Sequence, residues 1–251
     1  MTASQISSRH ASAKATELHA RASADFAAKL AETQALLQNA AADLQPLTQA
    51  SSLGAEDVVI THILNRLRLD IPIFVLETGA LHTETLALLE RTLAHSRAPV
   101  NVYRPEQESV VWFIRNEGQD AMYKSLQLRK ACCNIRKMEP LGRALAGQKA
   151  WITGLRQEQS NARAEVPLHD ESEVGSKGLH KLNPLARWTW GDVWHYIAEH
   201  QVDYNPRHDQ FYPSIGCAPC TRAISLGEEF RAGRWWWEDE TAKECGLHVR
   251  Q

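Results

Sequence analysis

The spacing of apolar residues changes near residue 47, and the change predicts two kinds of structure. Upstream, residues 1–45 are rich in Ala, Ser and Gln, and Leu18, Phe26, Leu30 and Leu37 recur at spacings that fit one face of a helix. Downstream, short apolar runs alternate with helical ones, a pattern typical of β-α-β units and a parallel sheet. We therefore expect an N-terminal helical segment followed by an α/β domain.

The downstream pattern is regular enough to predict single elements. Strands are expected at Leu47–Ser51, Ile71–Leu76, Pro99–Tyr103 and Trp151–Thr153, and helices at Ala55–Leu67, Thr83–His95 and Thr189–Glu199. Residues 165–181 contain charges and two glycines and are expected to form a surface excursion, with His169 and His180 as loop residues rather than ligands. Ligands of such sheets bind beyond the carboxyl ends of the strands.

Two strand ends carry turns that suit an anion. Ser51, Ser52 and Gly54 join the first strand to a helix, where small residues let the backbone close on a phosphate or sulfate and the helix N-terminus offers N–H groups. Taken alone, this segment is more typical of an ordinary tight turn, because it lacks a complete Walker pattern. Thr78 and Gly79 form the corresponding turn after the next strand.

The five cysteines divide into four and one. Cys132 and Cys133 are adjacent, and Cys217 and Cys220 form a Cys-x-x-Cys pair, so the two pairs can supply four thiolates to one zinc ion or one 4Fe-4S cluster. Cys245 remains unpaired near the C-terminus and is a candidate nucleophile. A thioredoxin-like site at the Cys-x-x-Cys pair is disfavoured, since it would be expected directly after a strand near the start of a small domain.

Composition narrows the choice of partner and compartment. A net charge of −2 argues against a nucleic-acid binder, and no apolar stretch is long enough for a membrane span or a secretion signal. An odd number of cysteines makes a poor disulfide framework, which favours the cytoplasm. A transit peptide is an alternative for the N-terminus, although Glu17, Asp25 and Glu32 are unlike the acid-poor composition of such peptides.

Four ordered motifs resemble a known family, the assimilatory adenylyl-sulfate (APS) reductases, which are iron-sulfur relatives of the phosphoadenylyl-sulfate (PAPS) reductases. They are the double-cysteine segment Lys130–Leu141, the second pair in Ile215–Arg222, and the closing segments Gly233–Glu238 and Lys243–His248. With the two turns, the resemblance extends from about Ser51 to His248.

The resemblance implies an adenine-nucleotide hydrolase-like fold with a modified phosphate loop, a largely parallel sheet flanked by helices, and an extended C-terminal catalytic tail. We divide the chain into an N-terminal helical segment (1–45), a nucleotide-binding and cluster-binding domain (46–226) and the tail (227–251). The implied substrate-binding residues are Lys137, Arg163, Arg231, Arg234, Ser51, Ser52, Gly54, Thr78 and Gly79. Arg163 is a better match than Arg156 to the arginine over the substrate, and Glu77 stands where the family commonly has Asp.

The implied reaction reduces adenosine 5′-phosphosulfate to sulfite and AMP. Cys245 would attack the sulfate sulfur, and thioredoxin would resolve the S-sulfocysteine. A 4Fe-4S cluster on Cys132, Cys133, Cys217 and Cys220 is also implied. The tryptophans of Trp235–Trp237 could stack on bases, but three consecutive aromatic residues are more typical of packing, so we expect them to support the segment. The chain is expected to prefer APS, because Glu56 and Asp57 would repel the additional phosphate of PAPS. A PAPS or dual-substrate reductase, and a zinc-stabilised nucleotide-binding module, remain alternatives. The N-terminal helix is the element best suited to mediate a homo-oligomer.

Overall fold

The computed structural model describes residues 13–160 and 163–239. The strands are β1 Leu47–Ser51, β2 Ile73–Leu76, β3 Val100–Tyr103, β4 Ala150–Ile152, β5 His169–Asp170 and β6 His180–Leu182. The helices are α1 Ala15–His19, α2 Phe26–Asp43, α3 Ala55–Leu67, α4 Thr83–His95, α5 Gln107–Glu117, α6 Leu126–Cys133, α7 Glu139–Leu145, α8 Val174–Lys177 and α9 Trp190–His200, with a π-helical turn at Asn134–Met138. None of the helices in these two ranges is both long and apolar enough to cross a membrane.

The strands form one sheet in the order β3-β2-β1-β4-β6-β5. All neighbours are parallel except β5, which runs antiparallel to β6 at one edge. This arrangement confirms the predicted α/β class with a largely parallel sheet. Because β1 lies between β2 and β4, the loops that follow these three strands converge at one edge of the sheet.

Helices cover both faces of the sheet, and the cores on the two faces explain why the chain folds this way. On one face, Leu37 of α2, Ile60 of α3 and Trp194 of α9 pack into one buried cluster with the strands. On the other face, Leu141 of α7 packs with Trp151 of β4. Helix α2 therefore shares the main core with the α/β domain, while the proposed domain boundary at residue 45 stays a prediction.

Every predicted strand and helix is present, and its limits match or differ by one or two residues. β1, α3 and α4 match residue for residue, and α9 begins after Thr189, whose side chain forms a capping box with Asp192. The expectation for residues 165–181 was wrong in one respect, because His169 and His180 lie in strands β5 and β6 rather than in loops. These strands are only two and three residues long, and their hydrogen bonds come from pairing along the edge of the sheet rather than from a local sequence pattern.

Candidate active site

A pocket opens where the loops after β1, β2 and β4 converge, and it gathers most of the predicted binding residues. Its lining includes every predicted substrate contact except Gly79: Ser51, Ser52, Gly54, Thr78, Lys137, Arg163, Arg231 and Arg234. These residues come from five separate segments of the chain. Four of them are cationic, so the pocket has the charge that an anionic ligand requires.

The turn between β1 and α3 is held by hydrogen bonds within itself. Asp57 accepts hydrogen bonds from the backbone N–H (2.6 Å) and the hydroxyl (2.7 Å) of Ser52, and the Leu53 N–H donates to Ser51 Oγ at 3.2 Å. Leu53 adopts a left-handed backbone conformation with φ of 61°. The amide groups of Ser52 and Leu53 are therefore engaged inside the turn, so binding of an anion relies more on the surrounding cations than the sequence predicts.

Two carboxylates that were not among the predicted site residues lie beneath this turn. Glu56 and Asp57 are both buried and both line the pocket. Burial raises the pKa of Asp57 to about 6, against the hydrogen bonds from Ser52 that favour its ionised form. Gly154 of the loop after β4 packs so closely on Asp57 that a Cβ atom there would overlap the carboxylate.

Arg156 is the partner of Glu56 rather than a wall of the pocket. Its Nε donates to Glu56 Oε1 at 2.9 Å, and its side chain is fully buried. Gln159 Nε2 donates to the same carboxylate oxygen at 3.0 Å, and Gln159 Oε1 accepts a 2.6 Å bond from Arg163 Nη1. Arg163 thus lines the pocket, while Arg156 lies behind it and supports Glu56.

The turn after β2 faces a second cavity. Gly79 has a φ of 68°, its N–H donates to Glu77 Oε1 at 2.7 Å, and Arg136 Nη1 donates to the Thr78 carbonyl at 2.7 Å. A Cβ atom at Gly79 would be strained by this left-handed backbone conformation and would lie 3.2 Å from the Arg136 guanidinium, which would have to shift slightly. Glu77 shapes this turn, also pairing with Arg104 at 3.1 Å, and does not line the pocket.

Arg234 is packed tightly into the pocket wall. It is only 7% exposed, its Nη1 lies 3.3 Å from the Ile215 carbonyl, and a Cβ atom at Gly216 would overlap its guanidinium. The guanidinium also lies 4.7 Å from the centre of the Trp235 ring. Its direction is therefore set by the backbone and the aromatic ring together.

His208 was not predicted and lines the same pocket. Its Nδ1 lies 2.7 Å from the Tyr212 carbonyl, which requires a proton on Nδ1, and its buried Nε2 has no hydrogen-bond partner among the described residues. Burial lowers the pKa of His208 to about 4, because it disfavours the imidazolium form. At neutral pH the side chain is an uncharged hydrogen-bond acceptor.

The four paired cysteines line the second cavity, as their spacing predicts. Cys132, Cys133, Cys217 and Cys220 surround it, and none of the four forms a disulfide. Leu81 and Lys137 line both cavities, so they form the wall between them. Any centre held by the thiols would thus adjoin the cationic pocket through Lys137.

Helix α6 and the loop after β2 bring the two cysteine pairs together. Cys132 and Cys133 end α6, and the π-helical turn that follows carries Lys137; such turns frequently occur at functional sites. The second pair is fixed by the Ala218 N–H, which donates to the Ala80 carbonyl at 2.7 Å, and by Tyr123, whose hydroxyl donates to the Pro219 carbonyl at 2.5 Å.

Burial keeps two of the paired cysteines in the thiol form. Burial and the neighbouring Cys217 raise the pKa of Cys220 to about 12, and burial raises the pKa of Cys132, so these two thiols need a cationic centre to ionise. Four thiolates suit either a zinc ion or a 4Fe-4S cluster.

The tail begins with a buried support for both cavities. Trp235 is 1% exposed and lines the pocket, with the guanidinium of Arg129 4.6 Å from its ring centre. Arg129 also forms a two-pronged ion pair with Glu238, at 3.0 and 2.7 Å. The predicted nucleophile Cys245 lies outside the described residues.

Comparison with known proteins identifies the family. Residues 46–223 match the phosphoadenosine phosphosulfate reductase domain. The chain is 52% identical over 216 residues to the adenosine 5′-phosphosulfate reductase of Allochromatium vinosum, covering 86% of this chain and 84% of that one. It is 48% identical over 225 residues to the enzyme of the same name from Burkholderia cepacia, covering 90% and 89%.

Solved structures support the same assignment. The PAPS reductase of Candida auris, in a phosphate complex, superposes with a TM-score of 0.64 at 28% identity, covering 74% of this chain and 88% of that one. An FMN adenylyltransferase from Candida glabrata, with a TM-score of 0.57 at 11% identity over 94% of this chain and 84% of that one, shares the fold alone. The chain therefore belongs to the phosphoadenosine phosphosulfate reductase family and, within it, to the oxidoreductases named adenosine 5′-phosphosulfate reductase.

Proposed function

We propose that this protein reduces adenosine 5′-phosphosulfate to sulfite and AMP in assimilatory sulfate reduction, with thioredoxin as the reductant. The observation that carries the proposal is the convergence of four cationic side chains on one pocket, Lys137, Arg163, Arg231 and Arg234. A phosphosulfate presents adjacent phosphate and sulfate groups, and planar guanidinium donors with a lysine point charge complement them. The names of the related enzymes agree with this substrate.

In the proposed reaction, the Cys245 thiolate attacks the sulfate sulfur. An S–S bond forms, the bond between sulfur and the bridging oxygen breaks, and AMP leaves with the bonding electrons. A thioredoxin thiolate then attacks the S-sulfocysteine, which releases sulfite and regenerates the Cys245 thiolate as thioredoxin becomes a disulfide. The two electrons that reduce the substrate therefore come from the dithiol of thioredoxin.

The remaining residues of the pocket have binding and orienting roles. Lys137 and the three arginines would neutralise the phosphosulfate and stabilise the charge that develops on AMP as it leaves. Ser51, Ser52 and Gly54 would shape the pocket around the nucleotide, with Thr78 and Gly79 beside it. Glu238 would hold the tail from which the segment carrying Cys245 extends, because Arg129 fixes it to α6.

We further propose that Cys132, Cys133, Cys217 and Cys220 hold a 4Fe-4S cluster. The donor set fits, since four thiols line one cavity and Arg129 and Arg136 both interact with cysteine sulfur at its edge. When bound, the cluster together with its four thiolates would have a net negative charge, which would orient Lys137 and tune the field of the pocket. A reducing compartment such as the cytoplasm would keep these thiols available for the cluster.

Trapping the intermediate tests the proposed function directly. Protein incubated with APS and no thioredoxin should gain one SO₃-sized adduct, which tandem mass spectrometry maps to Cys245. The Cys245→Ser variant is the matched control and should neither gain the adduct nor release AMP. Release of AMP by the wild type with no adduct at any cysteine would contradict covalent catalysis.

Iron analysis separates the two roles given to the cysteines. Cys220→Ser should lower bound iron, acid-labile sulfide and activity together, because it removes one of four ligands. Cys245→Ser should retain the iron and lose turnover. Loss of iron in Cys245→Ser, or zinc in place of iron in anaerobically purified wild type, would overturn the assignment.

Reduction of PAPS is the second candidate, favoured by the likeness to the Candida auris PAPS reductase. A dedicated site for the 3′-phosphate would gain about 1.5 to 3 kcal/mol from each charge-assisted hydrogen bond. We expect a higher kcat/KM for APS, measured beside PAPS with thioredoxin in excess. An equal or higher value for PAPS would establish the dual-substrate or PAPS-reducing enzyme instead.

A further inference from the structure

Two histidines and a glutamate meet on the edge hairpin of the sheet, away from both cavities. Strands β5 and β6 are antiparallel, with His169 opposite Leu182 and Asp170 opposite Lys181. Continuing this register by one residue places Glu171 opposite His180. Because strand side chains alternate between faces, His169 and Glu171 share one face with His180.

The three side chains lie at spacings that a small metal ion requires. His169 Nε2 and His180 Nδ1 are 2.9 Å apart, and Glu171 Oε1 lies 3.7 Å from the first nitrogen and 3.8 Å from the second. Bonds of 2.0 to 2.2 Å from a tetrahedral zinc ion to nitrogen and oxygen place the ligand atoms about 3.3 to 3.5 Å apart. Each observed separation differs from this range by only a few tenths of an ångström.

We propose that His169, Glu171 and His180 form a binding site for a divalent transition-metal ion of the zinc type. Two imidazoles with one carboxylate suit zinc and its transition-metal neighbours, whereas calcium and magnesium take oxygen ligands. The Glu171 side chain is 65% exposed, so solvent has access to the site and water completes the coordination. None of the three residues lines the cationic pocket or the thiol cavity.

Without metal, the two imidazoles share a hydrogen bond in which one ring donates and the other accepts. Metal binding requires a lone pair on both facing nitrogens. The donating ring meets this requirement by carrying its proton on its other nitrogen, so both rings stay neutral. The existing contact therefore needs a change of tautomer and a small adjustment of the ligands, not a new backbone arrangement.

The position of the site gives it a structural consequence. β5 pairs only with β6. β5 contains His169 and leads directly into Glu171, and β6 begins with His180. Asn183, which follows β6, also binds the chain before β5, since its N–H donates to the Leu168 carbonyl and its Nδ2 to the Pro167 carbonyl, both at 2.8 Å. A bound ion would link β5 to β6 towards the other end of the hairpin and so stabilise this edge of the sheet.

Zinc binding to anaerobically purified, iron-loaded protein tests the proposal. Equilibrium dialysis against Zn²⁺, with zinc and iron measured together, should show one more zinc per chain in the wild type than in the triple variant His169→Ala/Glu171→Gln/His180→Ala. The single variant His180→Ala should bind this zinc at least 10- to 100-fold more weakly, the factor already expected for loss of an outer-shell partner. Iron content and the thermal midpoint without zinc should be the same in all variants.

A matched control uses another histidine beside a glutamate. His195 Nε2 lies 3.4 Å from Glu199 Oε2, with no third ligand in the same set, so His195→Ala should keep the additional zinc. At free zinc 100-fold above the dissociation constant, hydrogen exchange that requires opening of β5–β6 should slow by roughly 100-fold in the wild type and the His195→Ala control. Equal zinc in the wild type and the triple variant, or loss of the additional zinc in His195→Ala, would overturn the proposal.

Discussion

Replacement of Arg129 by Met tests whether the tail is held by a buried ion pair. The Arg129 side chain is 1% exposed and the Glu238 side chain 7%, and their hydrogen bonds are 3.0 and 2.7 Å long. Removing one partner of a buried pair leaves an uncompensated charge and costs about 3 to 5 kcal/mol. For a chain of this size that loss lowers the thermal midpoint by roughly 6 to 20 °C.

The expected result is measured by urea unfolding of the iron-loaded protein at pH 7. Glu238→Gln should cost less than Arg129→Met, because Arg129 would keep its contacts with the Trp235 ring and with Cys133. The double variant should be no less stable than Arg129→Met alone, since the two residues act as one pair. If the tail delivers the nucleophile as proposed, Glu238→Gln should also lower kcat while retaining iron.

Arg143 provides the matched control for the same substitution. It pairs with Glu139 at 2.6 Å on the surface of α7, with both side chains about 40% exposed. Water screens such a pair, so Arg143→Met should leave the unfolding midpoint unchanged. Equal midpoints for Arg129→Met and Arg143→Met would refute the view that the Arg129–Glu238 pair holds the tail.

Two further predictions concern the pocket. The first concerns the pH dependence of stability. The pKa of Asp57 is raised from 3.8 to about 6, so the contribution of Asp57 to stability is lost as the pH rises through 6. The pKa of His208 is lowered from 6.5 to about 4, so the contribution of His208 is lost as the pH falls towards 4. Urea unfolding between pH 4 and 6.5 measures the free energy of unfolding of each variant relative to wild type. As the pH rises over this range, that difference should increase by about 3 kcal/mol in Asp57→Asn and decrease by a similar amount in His208→Gln. Curves parallel to that of the wild type would refute the burial of these two side chains. Gly216→Ala should displace the Arg234 guanidinium and lower kcat/KM for APS by about 10- to 100-fold, while Gly142→Ala, where a Cβ atom meets nothing within 4 Å, should be neutral in the same assay.

The sequence predicts the fold well where the hydrophobic pattern is long. α3 and α4 each have 13 residues with helical periodicity, and both have the predicted limits. Strand β1 is short but lies between a proline and a serine-rich turn, which define its ends. β5 and β6 have no comparable pattern, because their positions depend on pairing with β4 in three dimensions.

The residues of the candidate site also fall into two groups, those that local motifs predict and those that only the folded chain reveals. Lys137 and Arg234 could be nominated from local motifs, and both line the pocket. Glu56 could not be recognised as buried, because its partner Arg156 comes from a loop 100 residues away. His208 was missed for a related reason, since only the folded chain shows that it lines the cationic pocket with its Nε2 buried.

Burial of the carboxylates on α3 also changes the argument for substrate choice. In the sequence, Glu56 and Asp57 offer two negative charges that would repel the additional phosphate of PAPS. In the structure, Arg156 and Gln159 both donate to Glu56, and the Arg156 guanidinium compensates its charge. Asp57 accepts two hydrogen bonds from Ser52, so its charge is directed into the turn. Electrostatic repulsion by these residues is therefore weak, and a preference for APS must depend on whether the pocket supplies a donor to the 3′ position of the ribose.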